Sequence, residues 1–271
     1  MEGKLGLNGA TLPGSGLLDG IRSAAAAGFS YYEPRVPELE PLRTSRASEA
    51  RALLAEVGLA WLPLNGLEGV FAEPDTVLEE RAEATFALAS DFGVDQVIIV
   101  PGPVEGPVDR SEAGAALKRL SKQARDHGVS LLYEFIGFAH HAFPSLEEAA
   151  AVASNAGLPL VLDTFHLAVS RTTSSSIEAI GADAIGLVHL SDALVEGDVA
   201  KISDPDRVLP GEGGLELDAI VGAVLRTGFE GPISVETFHP KYGERPPEVV
   251  AREAYASATS LLDRLAGNPD T

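Results

Sequence analysis

The sequence contains no cysteine among its 271 residues. This absence excludes disulfide bonds, thiolate nucleophiles and thiolate zinc sites, and it leaves Asp, Glu and His as the only strong metal ligands. Any metal that the protein binds is therefore expected to be held by oxygen and nitrogen atoms.

Basic residues are scarce, because 20 Lys and Arg stand against 40 Asp and Glu and give a formal net charge of -20 at pH 7. Nucleic acids and anionic membranes bind basic surfaces, since binding releases counterions from their phosphates. The acidic balance therefore predicts neither a nucleic-acid partner nor a membrane partner. It also disfavours a highly anionic substrate.

Long hydrophobic runs are also missing, and none approaches the roughly 20 consecutive apolar residues that a membrane-spanning helix needs. The first four residues lead directly into an apolar stretch and lack the pattern of a signal peptide. The hydrophobic content of 45% is nevertheless enough for a sizeable core. We therefore expect a soluble, cytoplasmic globular protein.

Short β-like runs alternate with longer helical patterns along the whole chain, which is typical of βα units around a parallel sheet. The predicted strands are 5–8, 29–33, 60–65, 96–100, 130–134, 159–163, 185–189 and 232–236. The predicted helices are 17–27, 45–57, 76–92, 111–127, one from about 145, 176–180, 215–227 and 247–265. Gly28 is expected to end the first helix, and Ser145 with Glu148 forms a capping box at the start of the fifth.

These eight strand-helix pairs predict an α/β protein built as a single (β/α)8 TIM barrel over residues 1–271. No linker rich in Pro, Ser or Gly divides the chain. A doubly wound open sheet is the structural alternative. It is disfavoured because no Gly-x-Gly-x-x-Gly turn follows the first strand.

Four consecutive predicted strands, the fifth to the eighth, each end in a carboxylate or an imidazole, and these residues are Glu134, Asp163, His189 and Glu236. TIM barrels carry their active sites at this end of the strands. Three neighbouring carboxylates repel one another without a cation, so the pattern predicts one divalent metal ion, Mn²⁺, Co²⁺, Mg²⁺ or Zn²⁺. Taken singly, each acid is better explained as a helix N-cap, and His189 as a hydrogen-bonded core histidine; the coincidence on four consecutive strands favours a shared metal site.

The motifs around these strand ends carry a family resemblance. They read Tyr133-Glu134-Phe135-Ile136-Gly137, Asp163-Thr164-Phe165-His166, Val188-His189-Leu190-Ser191-Asp192 and Ser234-Val235-Glu236-Thr237-Phe238. The chain resembles the xylose-isomerase-like barrel superfamily of sugar isomerases and epimerases. Four further segments are similar to its inosose isomerase branch, which acts on keto-inositols: Leu7-Asn8-Gly9-Ala10-Thr11, Tyr32-Glu33-Pro34-Arg35, Leu64-Asn65-Gly66 and residues 206–213.

The resemblance implies that the four strand-end residues bind one divalent metal and that His166 and Arg207 contact substrate hydroxyls. His166 is expected in the loop after the sixth strand. The alternative for Arg207 is a surface ion pair with Asp204 or Asp206. The segment 138–141, which carries two histidines, has no clear counterpart in the branch and leaves the substrate open.

Asn8 and Glu33 lie at the tips of the first two strands and are predicted either to contact the substrate or to cap local turns. Glu134 and Glu236 lie at the two ends of the four-strand arc, so they are predicted as the general base and acid.

The predicted function is a divalent-metal-dependent isomerase of an inosose-like keto-polyol. It would move a carbonyl to the adjacent carbon by proton transfer through a cis-enediolate. A ketose 3-epimerase, a dehydratase and a barrel that binds a sugar without turnover are left open, whereas the net charge disfavours a DNA endonuclease of the same superfamily. The expected partner is a small polyol or sugar, and a homo-oligomer is left open.

Overall fold

The computed structural model describes residues 3–267, and parallel β-strands surrounded by helices organise this part of the chain. The strands are β1 Leu5–Asn8, β2 Tyr31–Glu33, β3 Ala60–Trp61, β4 Leu64–Val70, β5 Gln96–Pro101, β6 Ser130–Glu134, β7 Leu160–Asp163, β8 Ile185–Leu190, β9 Asp192–Ala193, β10 Arg207–Val208 and β11 Ile233–Val235. The helices are α1 Leu17–Ala27, α2 Val36–Leu39, α3 Ala47–Glu56, α4 Asp75–Phe92, α5 Arg110–Asp126, α6 Leu146–Ala156, α7 Thr164–Val169, α8 Ser174–Ile180, α9 Leu217–Arg226 and α10 Pro247–Ala266.

The main sheet has the order β3-β2-β1-β11-β8-β7-β6-β5-β4, and every pairing in it is parallel. Its two ends meet, because Arg35 forms a parallel bridge with Asn65 and the Asn65 amide donates to the Pro34 carbonyl over 2.9 Å. The sheet is therefore a closed barrel, and the predicted (β/α)8 fold is confirmed.

The third barrel strand differs from its predicted form of one run over 60–65. It is split into β3 and β4, and Pro63 lies in the gap. Proline has no N–H to donate to a ladder. The chain nevertheless stays in the barrel wall, because the Leu62 amide still bonds to Tyr32 O over 2.9 Å.

Helix ends follow the capping signals in the sequence. Gly28 adopts the left-handed conformation at the end of α1 with a φ of 105°, which a residue without a Cβ allows at no steric cost. The Ser145 hydroxyl accepts from the Glu148 amide at the start of α6. Other predicted helix bounds differ from the structure by one or two residues, but the short helices α2 and α7 were missed.

The inner face of the barrel has two layers. Leu62, Ile98, Leu132, Val161 and Leu187 form an apolar layer inside the sheet. Because strand side chains alternate between the two faces, the residues two positions after the last three of these also point inward. Those residues are three of the four predicted ligands, which the fold thus sets directly above an apolar floor.

The second core, between the sheet and the helices, is formed mainly by Leu, Ile, Val, Ala and Phe side chains. Among residues 3–267, none of the helices combines the length and apolar character that crossing a bilayer requires.

Candidate metal centre

Two threonine hydroxyls fix the strand ends that carry the site. Thr164 Oγ1 donates to the Ser191 carbonyl over 2.7 Å and accepts from the Ser191 amide at 3.0 Å, which ties the end of β7 to the end of β8. Thr11 Oγ1 donates to Val235 O at 2.9 Å and accepts from the Thr237 amide at 3.1 Å, on either side of Glu236. The side chains of the site are therefore attached to a rigid backbone.

Glu134, Asp163, His189 and Glu236 lie together at this end of the barrel. One nitrogen or oxygen atom from each falls within 4.8 Å of the corresponding atoms of the other three, and all four residues are buried. Three carboxylates and one imidazole, gathered away from water, suit a single divalent cation. The donor set therefore fits the metal ion predicted from the sequence.

His189 is oriented from both sides of its ring. Its Nε2 lies 2.9 Å from Glu33 Oε1, and its Nδ1 lies 3.2 Å from Glu134 Oε1 and 3.4 Å from Glu236 Oε2. Burial alone lowers the pKa of His189, but the carboxylates of Glu236 and Glu33 and its hydrogen bonds raise it well above the ordinary value. Once Nε2 donates to Glu33, Nδ1 is the nitrogen that faces the centre.

The structure gives Glu33 contacts with protein groups. Its Oε1 also accepts from Asn65 Nδ2 at 3.3 Å, and its side chain is fully buried. Its second oxygen has no hydrogen-bond partner among the described residues. The predicted substrate contact of Glu33 therefore remains a prediction, whereas its bond to His189 is present in the structure.

Two amides hold Glu236. Asn8 Nδ2 and Asn65 Nδ2 each donate to Glu236 Oε1 over 2.9 Å. The side-chain oxygen of Asn8, Oδ1, also accepts from the Ala10 amide at 2.8 Å, so Asn8 is the local cap that the sequence left open as an alternative. Burial raises the pKa of Glu236 to about 8, against the opposing attraction of His189 and Arg207.

Asn65 has no role in the sequence-based prediction, although it lies within a motif shared with the inosose isomerase branch. Asn65 follows a proline at a strand break, and this local sequence does not indicate that its side chain donates to Glu33 and Glu236.

Arg207 lies inside the site and not at the surface. Its guanidinium donates to Asp163, to Glu236 Oε2 at 3.2 Å and to Asp204 Oδ1 at 3.1 Å, and the side chain is only 2% exposed. The predicted ion pair with Asp204 therefore exists, but the guanidinium in this pair is buried and not at the surface as expected. The guanidinium, together with two histidines, lowers the pKa of Asp163 although burial opposes this shift.

Aromatic rings enclose the same guanidinium. Its central carbon lies 4.2 Å from the Phe165 ring centroid and 5.2 Å from that of Phe238. Both rings therefore stabilise the cation through their faces. Sequence reasoning missed these phenylalanines because a single apolar residue after a strand is more often part of the core.

The connection between β8 and α9, residues 191–216, forms a strap that carries Arg207. Strands β9 and β10 pair antiparallel within it, with Arg207 opposite Ala193. The Asp192 carboxylate accepts from the backbone amides of Ala193, Gly211, Gly213 and Leu215 at 2.8–3.0 Å. This bundle of bonds fixes the strap, and with it the guanidinium, over the barrel.

The expectation that His166 lies in a loop is wrong. It belongs to α7, whose first turn is capped by Asp163 Oδ1 accepting from the Phe165 amide at 2.8 Å. Asp163 is thus both a helix cap and a member of the ligand cluster, so the two sequence interpretations of this acid were compatible.

His166 is neutral and has a fixed tautomer. Burial lowers its pKa to about 3. Its Nε2 lies 3.1 Å from Arg207 Nη2, which can only donate, so the ring proton is on Nδ1. Nδ1 is buried without a partner among the described residues, and His166 lines the cavity above the centre. The Nδ1 proton is therefore a buried donor that no described residue satisfies.

The cavity has a volume of about 350 Å³. Glu134, Glu236 and His166 contribute to its floor, and Phe138 with His141 forms part of one wall. Arg35, Glu68, Asp204 and Phe238 also line it. The segment that the sequence left unmatched thus contacts the site, since His141 is partly buried here while His140 is exposed.

Comparisons with known proteins agree with this geometry. The family model described as the xylose isomerase-like TIM barrel matches residues 21–261. An inosose isomerase of Halalkalibacterium halodurans is 27% identical over 94% of each chain. A 3-dehydroshikimate dehydratase of Pseudomonas putida is also 27% identical over 94% of this chain, but the match covers only 41% of that protein. The crystal structure of an IolI protein with a bound zinc atom superposes with a TM-score of 0.88 at 25% identity, covering 97% of this chain and 99% of that one.

Proposed function

The chain belongs to the xylose isomerase-like TIM barrel family, and from that premise we propose that it is a divalent-metal-dependent isomerase of an inosose-like keto-polyol. The observation that carries the proposal is the buried cluster of three carboxylates and one histidine beneath a cavity. The likeness to inosose isomerases over nearly the whole chain supports the substrate class.

The four residues of the cluster, Glu134, Asp163, His189 and Glu236, would hold the cation. When bound, it supplies Lewis-acid chemistry that stabilises negative charge on the oxygens of the substrate. Three carboxylates and one imidazole suit Mn²⁺, Co²⁺, Mg²⁺ or Zn²⁺, and we propose manganese as the native ion because most of the donors are hard oxygens.

Glu134 is proposed as the base. Its Oε1 lies beside His189 Nδ1, whereas its second oxygen bonds to no described residue, and the side chain lines the cavity. Burial raises the pKa of Glu134 against the opposing effect of His189, which favours uptake of a proton. Removal of the proton from the hydroxyl-bearing carbon next to the carbonyl gives the enediolate of the substrate.

Glu236 is proposed to give its own proton to the former carbonyl carbon, while Glu134 keeps the proton that it removed and the hydroxyl proton of the substrate moves to the other oxygen. Its carboxylate is oriented by Asn8 and Asn65, so little reorganisation is needed during the transfer. His166 lines the cavity and is proposed to contact a substrate hydroxyl, and Arg207, bonded to His166, adds a fixed positive charge next to the reacting oxygens.

A dehydratase is the second candidate, because the dehydratase of P. putida is as similar in sequence to this chain as the inosose isomerase is. Both reactions begin with the loss of a proton next to a carbonyl, and they differ in whether a hydroxyl then leaves.

Product analysis by NMR separates the candidates. Metal-loaded protein is incubated with 2-keto-myo-inositol, with 3-dehydroshikimate and with a ketohexose, and metal-stripped protein is the control. The proposal predicts an isomeric keto-inositol only with metal. Dehydration of 3-dehydroshikimate alone, epimerisation of the ketohexose alone, or tight metal and polyol binding without any product would contradict it.

Three further points belong to the same proposal. The single barrel domain predicted over residues 1–271 is part of this proposal, and the run of barrel elements from β1 to α10 supports it. The protein acts in the cytoplasm on a small molecule. Glu33 and Asn8 contribute to substrate binding through the groups that they orient.

A further inference from the structure

Arg35 has an unusual environment among the arginines of this acidic protein. Most described arginines form an ion pair with a carboxylate. Of those that do not, Arg51, Arg125 and Arg252 are exposed, whereas Arg35 is partly buried. A partly buried guanidinium without a carboxylate partner among the described residues is costly unless something else satisfies its donors.

The backbone of Arg35 is rigid. It follows β2 and forms the bridge to Asn65 that closes the barrel. Its amide donates to Glu38 Oε2 over 2.9 Å, which caps α2. Asn65 in turn donates to Glu236, so Arg35 is joined to the metal centre through one residue. The side chain therefore starts from a fixed point close to the ligand cluster.

An aromatic ring supports the side chain. The guanidinium carbon of Arg35 lies 5.4 Å from the Phe238 ring centroid, and Phe238 also contacts the guanidinium of Arg207. Arg35 and Phe238 line both the 350 Å³ cavity above the metal centre and a neighbouring cleft of about 530 Å³. The five donors of Arg35 are thus held in the wall between the two spaces.

Hydrogen-bonding groups around Arg35 favour a neutral ligand. Glu68 and Asp204 line the same cavity, along with Glu134 and Glu236. A ligand carboxylate could only accept hydrogen bonds and would meet these carboxylates, whereas a hydroxyl can accept from Arg35 and donate to an acid. A guanidinium has five N–H donors, so it can donate to more than one hydroxyl oxygen of the same ligand.

We propose that Arg35 is a substrate-binding, specificity-determining residue that donates to neighbouring hydroxyls on the part of the keto-polyol away from the metal ion. The inference rests on the proposed function, because it deepens the recognition of the same substrate. It assigns a role to Arg35 of the Tyr32-Glu33-Pro34-Arg35 motif, and the Arg35 side chain donates to none of the four described residues of the metal cluster.

The test compares wild-type protein with Arg35→Gln and Arg35→Lys. Arg51→Gln is the matched control, because Arg51 is exposed on α3 and has no carboxylate partner among the described residues. Steady-state kinetics with 2-keto-myo-inositol give kcat and KM, and calorimetry gives the affinity of each variant for Mn²⁺. Inhibition by 3-dehydroshikimate, a ring ketone with a carboxylate, is measured in parallel.

Arg35→Gln is expected to raise KM about tenfold or more, since hydrogen bonds to a charged group are lost. The value of kcat should stay within about threefold, and the Mn²⁺ affinity within about twofold, because the ligand cluster is unchanged. Arg35→Lys should lie between Arg35→Gln and wild type, because it keeps the charge but not the fork of donors. Arg51→Gln should behave as wild type.

Three results overturn the inference. An unchanged KM in Arg35→Gln, while wild-type protein turns over the keto-inositol, removes Arg35 from substrate binding and leaves the proposed function intact. A loss confined to 3-dehydroshikimate assigns Arg35 to a carboxylate instead. No turnover of any keto-inositol by metal-loaded wild type overturns both proposals.

Discussion

Replacement of Glu33 by Gln tests how the metal centre is supported. Glu33 is fully buried, and its Oε1 lies 2.9 Å from His189 Nε2. Glutamine keeps an oxygen that can accept from Nε2 but loses the negative charge. The ring orientation is therefore retained, while the imidazole becomes a weaker electron donor to a cation at Nδ1.

The magnitude follows from the change in one hydrogen bond. A hydrogen bond to a charged acceptor contributes about 1.5–3 kcal/mol, and one between neutral groups contributes about 0.5–1.5 kcal/mol. The difference of about 1–2 kcal/mol corresponds to about a tenfold loss of metal affinity. This lies at the lower end of the 10- to 100-fold range that is typical for partners of metal-bound histidines.

Calorimetric titration of metal-free Glu33→Gln protein with Mn²⁺ gives this loss directly. Glu40→Gln is the matched control, because Glu40 is an exposed carboxylate on the same connection between β2 and α3. The reasoning is refuted if Glu33→Gln binds Mn²⁺ as tightly as wild type while KM for the keto-inositol rises tenfold. That result would make Glu33 the direct substrate contact that the sequence predicted.

Three other predictions concern the same site. Asn8→Leu removes the bond to Glu236 and the cap on the following turn, so urea denaturation should show a loss of about 1–3 kcal/mol in unfolding free energy. Arg207→Gln removes a positive charge beside Asp163 and Glu236. Calorimetry should therefore show tighter Mn²⁺ binding although kcat falls about 10²- to 10³-fold, and weaker binding would contradict this. Because burial raises the pKa of Glu236 to about 8, protons compete with the metal below that pH, and Mn²⁺ affinity should fall about tenfold per pH unit for each proton displaced as pH drops from 8 to 6.

The barrel and the gathering of four polar strand-end residues at one place could be predicted because both depend on local patterns. Each of these four segments reads as a mostly apolar run with a carboxylate or an imidazole at or next to its C-terminal end, and parallel strands bring such ends to one face. Leu132 and Glu134, or Val161 and Asp163, differ by two positions and therefore share the inner face. One sequence suffices to find this alternation.

The groups that orient the ligands could not be predicted, since their partners are far apart in the chain. Asn65 and Glu236 are 171 positions apart, yet their side chains are 2.9 Å apart. The burial of Arg207 could not be predicted for the same reason. It depends on the pairing of β9 with β10 and on the backbone amides that donate to Asp192. Such contacts follow from barrel closure and loop packing, which no local pattern records.

Deuterium exchange tests the central claim most directly. Metal-loaded protein is incubated with 2-keto-myo-inositol in D₂O, and the product and the recovered substrate are analysed by NMR. Proton transfer by Glu134 and Glu236 through an enediolate predicts deuterium on the carbons next to the carbonyl, and none after removal of the metal. Product that forms without deuterium would contradict exchange with solvent and indicate a hydride shift or internal return of the proton.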